Sequence, residues 1–290
     1  MLRVLILGGT RFFGKILASR LIEAGHSVTI ATRGRTQNVH EGAHSVVADR
    51  GDPKQLLAAL GNSHYDVVYD QIGYSPNDAA TSVHVFGGRV SKYIFTSSMA
   101  VYGYSEDPWT ESGFNPFEYP VRSGDRADFN YAEGKRLAEA VLFQHAEFHV
   151  TAVRIPVVLG VEDYTQRVQF HIERIRAGIP IGFSNLDAKT SLIHADEAAK
   201  FLEWVGISKG VEGPVNACSE GHTTWKALIS TIEQVVGQKE SITTRVPHEN
   251  WSPYNETASR FMNTHKATNA GFGFTRLDDW FSDLIQQLTS

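Results

Sequence analysis

The segment Gly8-Gly9-Thr10-Arg11-Phe12-Phe13-Gly14 follows an apolar run at 3–7 and precedes a stretch in which Phe13, Ile16, Leu17, Leu21 and Ala24 share one helical face. A glycine-rich turn that hands a buried strand to an amphipathic helix leaves few folding options. Glycine admits positive φ and bares the backbone, and the helix N-terminus offers unpaired N–H groups at the positive end of its dipole. This pairing suits a pyrophosphate, so the turn predicts the first βαβ unit of a doubly wound domain with Gly8, Thr10, Arg11, Phe12, Phe13 and Gly14 around a dinucleotide. Gly25 supplies the helix stop, and 27–31 reads as the second strand. The alternative is a plain tight turn, which the βαβ context argues against.

Further strand-like runs at 44–48, 66–70, 92–96 and 150–155 are rich in Val and Ile, as burial on both faces demands. The fold class expected is therefore α/β, a Rossmann-type doubly wound parallel sheet with a smaller C-terminal substrate-binding region. Beyond about residue 160 the regularity weakens, and helical stretches at 166–177, 195–205 and 224–236 alternate with Gly- and Pro-containing turns. The expected division is a dinucleotide-binding domain at 1–160 and a substrate-binding region at 161–290, partly interleaved with it. The stretch 104–130 lacks clear periodicity and is expected to cover an active site as a long loop.

Composition narrows the partners. A single cysteine, Cys218, cannot form an internal disulfide. The N-terminal apolar run is too short for a signal h-region, and no apolar stretch reaches bilayer length. A cytoplasmic location is expected. The net charge of −5, with interspersed signs and no basic run, argues against nucleic acid and membrane surfaces and for a small-molecule substrate.

Two departures bear on the cofactor. Arg11 takes the middle position of a Gly-x-x-Gly-x-x-Gly spacing, close to where phosphates pass. After the second strand, where an acid would bind the ribose 2′-hydroxyl of NAD, stand Thr32 and Arg33, with Arg35 following. Cations there suit a 2′-phosphate, so NADP(H) is expected over NAD(H). Solvated loop arginines are the alternative. Asp49 and Arg50, after the third strand, are expected at the adenine edge.

Tyr131 and Lys135 open a predicted helix one turn apart. Alone the pair carries little weight, since chance supplies a Tyr-x-x-x-Lys in roughly one such chain in three. Its context is the run Ser97-Ser98-Met99-Ala100-Val101-Tyr102-Gly103 at the end of the fifth strand, on the sheet edge where doubly wound folds bind ligands.

The glycine turn, this run and the Tyr-x-x-x-Lys helix together resemble the short-chain dehydrogenase/reductase superfamily. They are most similar to its extended branch, the NAD-dependent epimerase/dehydratase family. Arg154-Ile155-Pro156, Ser191-Leu192-Ile193-His194-Ala195-Asp196-Glu197 and Pro214-Val215-Asn216 extend the likeness, while Arg11 with Asp163-Tyr164-Thr165-Gln166-Arg167 resembles the chloroplast stem-loop-binding-protein-like subgroup. The resemblance implies that Tyr131 exchanges a proton with a substrate oxygen, that Ser98 hydrogen-bonds that oxygen, and that Lys135 favours the phenolate and holds the nicotinamide ribose. It also implies dimerisation through the tyrosine helix, an expectation that would make the protein a homodimer. The reaction expected is an epimerase or dehydratase type of oxidoreduction on a nucleotide-sugar or related hydroxy compound, with Arg167 and Arg260 as partners of a substrate diphosphate. A carbonyl reductase using NADPH and a non-catalytic cofactor-sensing or RNA-associated protein are the alternatives. One departure stands out: the usual alanine-rich turn after the fourth strand reads Gln71-Ile72-Gly73-Tyr74.

Other signals carry no function. His40-Glu41-Gly42-Ala43-His44 has the letters of a zinc-protease motif but holds a glycine and enters a strand, so no metal site is expected. His145 and His149 straddle a helix end, Asn255-Glu256-Thr257 is a glycosylation sequon by letters only, and His194 with Asp196 opens a helix.

Overall fold

The computed structural model describes residues 1–35, 40–208, 211–239 and 242–289. Strands β1 (Arg3–Leu7), β2 (Ser27–Thr32), β3 (His44–Val47), β4 (Tyr65–Asp70), β5 (Val90–Ser98) and β6 (His149–Ile155) form a parallel sheet with a seventh strand, Gly213–Asn216. The order is β3-β2-β1-β4-β5-β6 and then 213–216. The order turns back on itself at β1 and β4, which creates a crevice beyond their carboxyl ends.

Alternate β1 residues point to opposite faces, and both faces are covered. Val4 and Ile6 pack with α1 (Phe12–Glu23) and with Phe201 and Leu202 of the helix Ala195–Ile207. Leu5 and Leu7 pack on the other side with residues of the helices Pro53–Leu60, Pro76–Phe86 and Tyr131–His145. These are α2, α3 and α4; the helices that follow are α5 (Arg167–Ala177), α6 (Ala195–Ile207) and α7 (Trp225–Val236). Each fully buried Val, Leu or Ile contributes about 1.5–3 kcal/mol relative to exposure, so two-sided burial makes β1 an uninterrupted apolar run.

Helix starts divide into two kinds. Asp52, Ser75, Asn130, His194 and Thr224 cap α2, α3, α4, α6 and α7 through their side chains, and Ser75 forms a capping box with Asp78. Among the described residues, α1 and α5 have no side-chain cap and no acid in the first turn. Both begin at the crevice.

The C-terminal region has its own core, in which Ile172, Ile175, Trp225, Ile229 and Tyr254 pack against Leu284 and Ile285 of the helix Phe281–Thr289. The strand 213–216 belongs to the main sheet, although it follows two helices of the C-terminal region. Pro214 is tolerated there because this strand is the sheet's edge. Sequence periodicity shows neither this four-residue strand nor the short helices α2 and α3. The stretch 104–130 has no α-helix or strand. It contains two 3-10 turns, at Glu111–Gly113 and Arg126–Asp128, and Phe114 is buried with Met99, Val101, Tyr102 and Met262. It is anchored through Phe114, with Trp109 and Tyr119 packed against it, while Tyr104 and Phe117 are exposed and Arg126 reaches the cavity lining.

Candidate active site

A cavity of about 810 Å³ opens at the carboxyl ends of the central strands. The glycine turn forms one wall. Gly8 and Gly9 have φ of 93° and 77°, and a Cβ there would lie 2.9 Å from Ile72 Cγ2 and 2.7 Å from Ile6 Cγ2. At Gly14 a Cβ would fall 2.0 Å from Gln71 Oε1. Phe12 opens α1 with φ of 51°, a left-handed conformation that costs a bulky residue on the order of 1–3 kcal/mol. The strain sits where the uncapped helix end meets the cavity. Bare backbone, free N–H groups and no first-turn acid fit a pyrophosphate.

Thr10, Arg11, Phe12 and Phe13 line this wall, and Thr32, Arg33, Arg35 and Asp49 line the adjoining rim. Thr32 Oγ1 accepts a hydrogen bond from the Gly34 amide at 3.1 Å, and Asp49 accepts one from the Gly51 amide at 3.0 Å. Arg50 lines the cavity next to Asp49, but from beneath. It is buried, with its guanidinium 2.5 Å from Asp70 and 3.1 Å from Asp78, and the Tyr93 hydroxyl donates to Asp70 at 2.7 Å. Burial disfavours the Arg50 charge, but the two aspartates prevail and hold its pKa above the usual value. It forms the floor beneath the cavity, which leaves the rim to Arg33 and Arg35.

On the opposite wall Tyr131 begins α4 behind its Asn130 cap and exposes 51% of its surface. Atoms packed around the phenol push its pKa up, and the Ser98 hydroxyl, then Arg167 and Arg126, pull it back. Ser98 closes β5 and accepts from the Ala100 amide at 3.1 Å. Lys135, one turn along α4, is buried, and its ammonium donates to the Gly73 and Thr96 carbonyls at 2.7 and 2.8 Å. Burial lowers it to about 8. Its Nζ lies 4.7 Å from the ring centres of Tyr74 and Phe95 and 5.9 Å from that of Tyr131. The guanidinia of Arg167 and Arg126 thus act on the phenol from within the same cavity that Lys135 lines.

Tyr74 and Arg126 were not singled out by their sequence positions. Tyr74 occupies the turn that departs from the alanine-rich pattern; its ring lies 6.4 Å from that of Tyr131 and carries the Arg126 guanidinium at 4.4 Å. The unusual turn was the available signal for Tyr74, whereas an exposed arginine in an aperiodic stretch gives none. Asp163, Tyr164, Thr165 and Arg167 also line the cavity, close to the glycine turn: the Tyr164 ring lies 6.5 Å from that of Phe12 and 5.6 Å from the Arg11 guanidinium. Arg167 Nε donates to Thr165 Oγ1 at 3.0 Å, and its guanidinium stands 5.5 Å from the Tyr254 ring centre. One turn along α5, His171 is sealed inside, stacked on Tyr254 with 3° between planes. Its Nδ1 donates to the Arg167 carbonyl at 2.7 Å, Nε2 pairs with Ser252 Oγ at 2.9 Å, and burial lowers its pKa to about 4. Arg260, expected beside Arg167, lies outside the cavity lining. It stands 3.6 Å from Glu256 and 4.8 Å from the Tyr104 ring centre, because the backbone at 260 bridges to the 189–190 segment instead of turning inward.

Among the described residues no helix is long and apolar enough to cross a membrane, and no group of three or more metal-binding side chains is found.

The chloroplast stem-loop binding protein of 41 kDa b from Arabidopsis thaliana is 26% identical over 82% of this chain and 64% of its own length. The chain therefore spans less than two thirds of that relative. Vestitone reductase from Medicago sativa is 24% identical over 98% of this chain and 96% of its own. Among solved structures, the UDP-glucose 4-epimerase of Thermus thermophilus in complex with NAD has a TM-score of 0.72 at 17% identity, covering 99% of this chain and 97% of that one. The dTDP-glucose 4,6-dehydratase of Bacillus anthracis in complex with NAD has a TM-score of 0.78 at 12% identity, covering 99% and 96%. These likenesses establish the Rossmann-type fold. The model of the NAD-dependent epimerase/dehydratase family matches residues 4–216, from β1 to the last residue of the sheet's closing strand, and the chain belongs to that family.

Proposed function

We propose that the protein is an NADP(H)-dependent oxidoreductase of the epimerase/dehydratase type, acting on a hydroxyl-bearing carbon with Tyr131 as its acid/base. The observation that carries this reading is Tyr131 itself, half exposed to the cavity, flanked by Ser98 and facing a wall whose bare glycines and uncapped helix suit a dinucleotide. A bound nicotinamide would supply the hydride acceptor or donor. Tyr131 exchanges the proton of the substrate oxygen, and Ser98 hydrogen-bonds that oxygen to orient it. A phenol with a raised pKa carries its proton at neutral pH, so the proton is in place, although burial makes the group a weaker acid. When it must accept, Arg167 and Arg126 stabilise the phenolate. Lys135 has three donors and two are taken by backbone carbonyls, so one remains for a ribose hydroxyl. Thr32, Arg33 and Arg35, with no acid at the end of β2 where NAD would need one, support NADP(H) over NAD(H).

Tyr131→Phe is expected to bind NADPH with wild-type affinity, followed by nicotinamide fluorescence, and to lose about 10²–10⁴-fold in turnover on a panel of hydroxy and carbonyl compounds. Full turnover by this variant overturns the acid/base role, and tighter binding of NADH than of NADPH overturns the cofactor preference. A second reading, a carbonyl reductase, is favoured by the likeness to vestitone reductase along nearly the whole chain. A reductase must release its cofactor each turnover, whereas an epimerase recycles it, so cofactor retained through purification favours the epimerase type.

A further inference from the structure

The loop 160–166 links the short strand Val157–Leu159 to the start of α5, and it packs on the glycine turn. Its first residue must be small. A Cβ at Gly160 would fall 2.8 Å from Ala195 Cβ and 3.1 Å from Phe12 Cε2, so the chain passes against the ring that opens α1. The loop is braced within itself. The Asp163 amide donates to the Gly160 carbonyl at 3.2 Å, the Gln166 amide to the Asp163 carbonyl at 3.1 Å, and Thr165 donates through its amide and hydroxyl to Asp163 Oδ1. Among the described residues only Phe12 and Gln166 adopt positive φ without being glycine, and each stands at the start of one of the two uncapped helices.

Among the described residues no main-chain hydrogen bond joins this loop to the glycine turn, so side chains make the attachment. They treat two cations differently. Glu162 meets Lys15 Nζ at 2.9 Å, with both side chains exposed. Lys15 lies in the first turn of α1, where the helix dipole disfavours a cation, and Glu162 offsets that charge from outside the helix. Arg11 receives an aromatic ring instead. The Tyr164 ring centre lies 5.6 Å from its guanidinium and 6.5 Å from the Phe12 ring centre, edge to face. Among the described residues Arg11 forms no ion pair. A carboxylate would hold a guanidinium by cancelling its charge, whereas a ring holds it and leaves its charge and N–H donors free for an anion. Tyr164 is 60% exposed and lines the same cavity as Gly8, Gly9 and Thr10.

We propose that Tyr164 is a positioning residue for the dinucleotide: its ring holds the Arg11 guanidinium at the start of α1, where the pyrophosphate binds, and the 160–166 loop, fastened by Glu162, forms the second wall of the phosphate site. This assignment rests on the dinucleotide reading of the glycine turn. It does not depend on which nicotinamide cofactor is used, since both carry the pyrophosphate. Arginine presents paired donors to phosphate oxygens, so a guanidinium already held in place binds them with less freedom to lose. The cofactor is released as the loop parts from the turn. An exposed ion pair and an exposed cation–π contact each shift an equilibrium by about two- to fivefold, so the attachment slows release without locking the loop.

The experiment is stopped-flow displacement of NADPH, and in parallel of NADH, from the full chain by excess NADP⁺ or NAD⁺, read by nicotinamide fluorescence. Tyr164→Ala is expected to release the cofactor at least fivefold faster than the wild type, and Tyr164→Phe, which keeps the ring, within twofold of it. Glu162→Gln is expected to speed release about two- to fivefold. In an Arg11→Ala background the effect of Tyr164→Ala should fall below twofold, because the ring acts through Arg11; a merely structural tyrosine would leave the two substitutions additive. Tyr164 is exposed, so its variants keep the fold, and circular dichroism checks this. A wild-type chain that binds neither cofactor overturns the dinucleotide reading and the proposal with it. Where a cofactor binds, the proposal alone is overturned by release from Tyr164→Ala at the wild-type rate, by release from Tyr164→Phe as fast as from Tyr164→Ala, or by additive effects of Arg11→Ala and Tyr164→Ala.

Discussion

Two layers of the crevice use the same side chain to opposite ends. In the floor, the guanidinia of Arg50 and Arg154 face carboxylates. Arg50 meets Asp70 and Asp78, and Arg154, with no exposed surface, meets Glu139 at 2.6 Å while donating to the Tyr102 hydroxyl and the Glu111 and Phe114 carbonyls. Ser97 closes the second network by donating to Glu139. On the rim above, Arg11, Arg33, Arg35, Arg126 and Arg167 have no carboxylate partner among the described residues. The floor is balanced because an unpaired charge inside a protein costs several kcal/mol. The rim can stay unbalanced because solvent carries its charge until a ligand replaces solvent. The comparison separates arginines whose charge is met within the fold from arginines whose charge is left to solvent.

The largest effect that would break this distinction lies in the floor. Arg154→Met leaves Glu139 charged and buried, and it is expected to lower the unfolding free energy by about 3–5 kcal/mol in chemical denaturation. Adding Glu139→Gln should restore part of the loss. An Arg154→Met protein of undiminished stability would show that the floor is not electrostatically closed.

A smaller effect belongs to His171, which anchors the α5 end of the rim. Its folded pKa, about 4, lies below the ordinary 6.5. Between these values the unfolded chain binds a proton that the folded chain does not. Stability therefore falls as pH drops through that window, by up to about 1.4 kcal/mol per pH unit. Denaturation midpoints measured from pH 7 to 4 should show a shallower decline for His171→Gln than for the wild type. Equal slopes would mean that the imidazole is not sealed in as described.

The smallest effect on stability is expected from Arg33→Ala, within about 0.5 kcal/mol, since the side chain is exposed and unpaired. The same variant should lose tenfold or more in NADPH affinity and little in NADH affinity. A stability loss comparable to that of Arg154→Met would erase the difference between rim and floor.

The sequence made some of this legible and hid the rest for physical reasons. The glycine turn was readable because it lies within one βαβ unit, where a local pattern dictates both conformation and chemistry. Tyr131 and Lys135 were readable only because their spacing on one helix comes with the run Ser97 to Gly103 and the glycine turn. The buried pairs were not: Arg50 and Asp70 meet across two strands, and Arg154 and Glu139 across a strand and a helix. No periodicity announces that an arginine near a strand end will point inward. Arg126 was hidden for the converse reason, since its stretch has no repeating pattern and its role depends on the ring of Tyr74 fifty-two positions earlier. Arg260 and Arg167 look alike as letters, yet the backbone pairing at residue 190 turns only the former away from the cavity.

The closing strand 213–216 has a consequence for how the molecule comes into being. Its partner β6 ends at Ile155, so more than fifty residues must be made and folded before that flank of the sheet is covered. Until then β6 presents a row of unpaired amides and carbonyls, the kind of bare border that recruits other chains. A cut near residue 160 would make this transient state permanent. The cofactor-binding half is thus an assembly step rather than a separable module, and a protein shortened to it should self-associate instead of yielding a soluble dinucleotide binder.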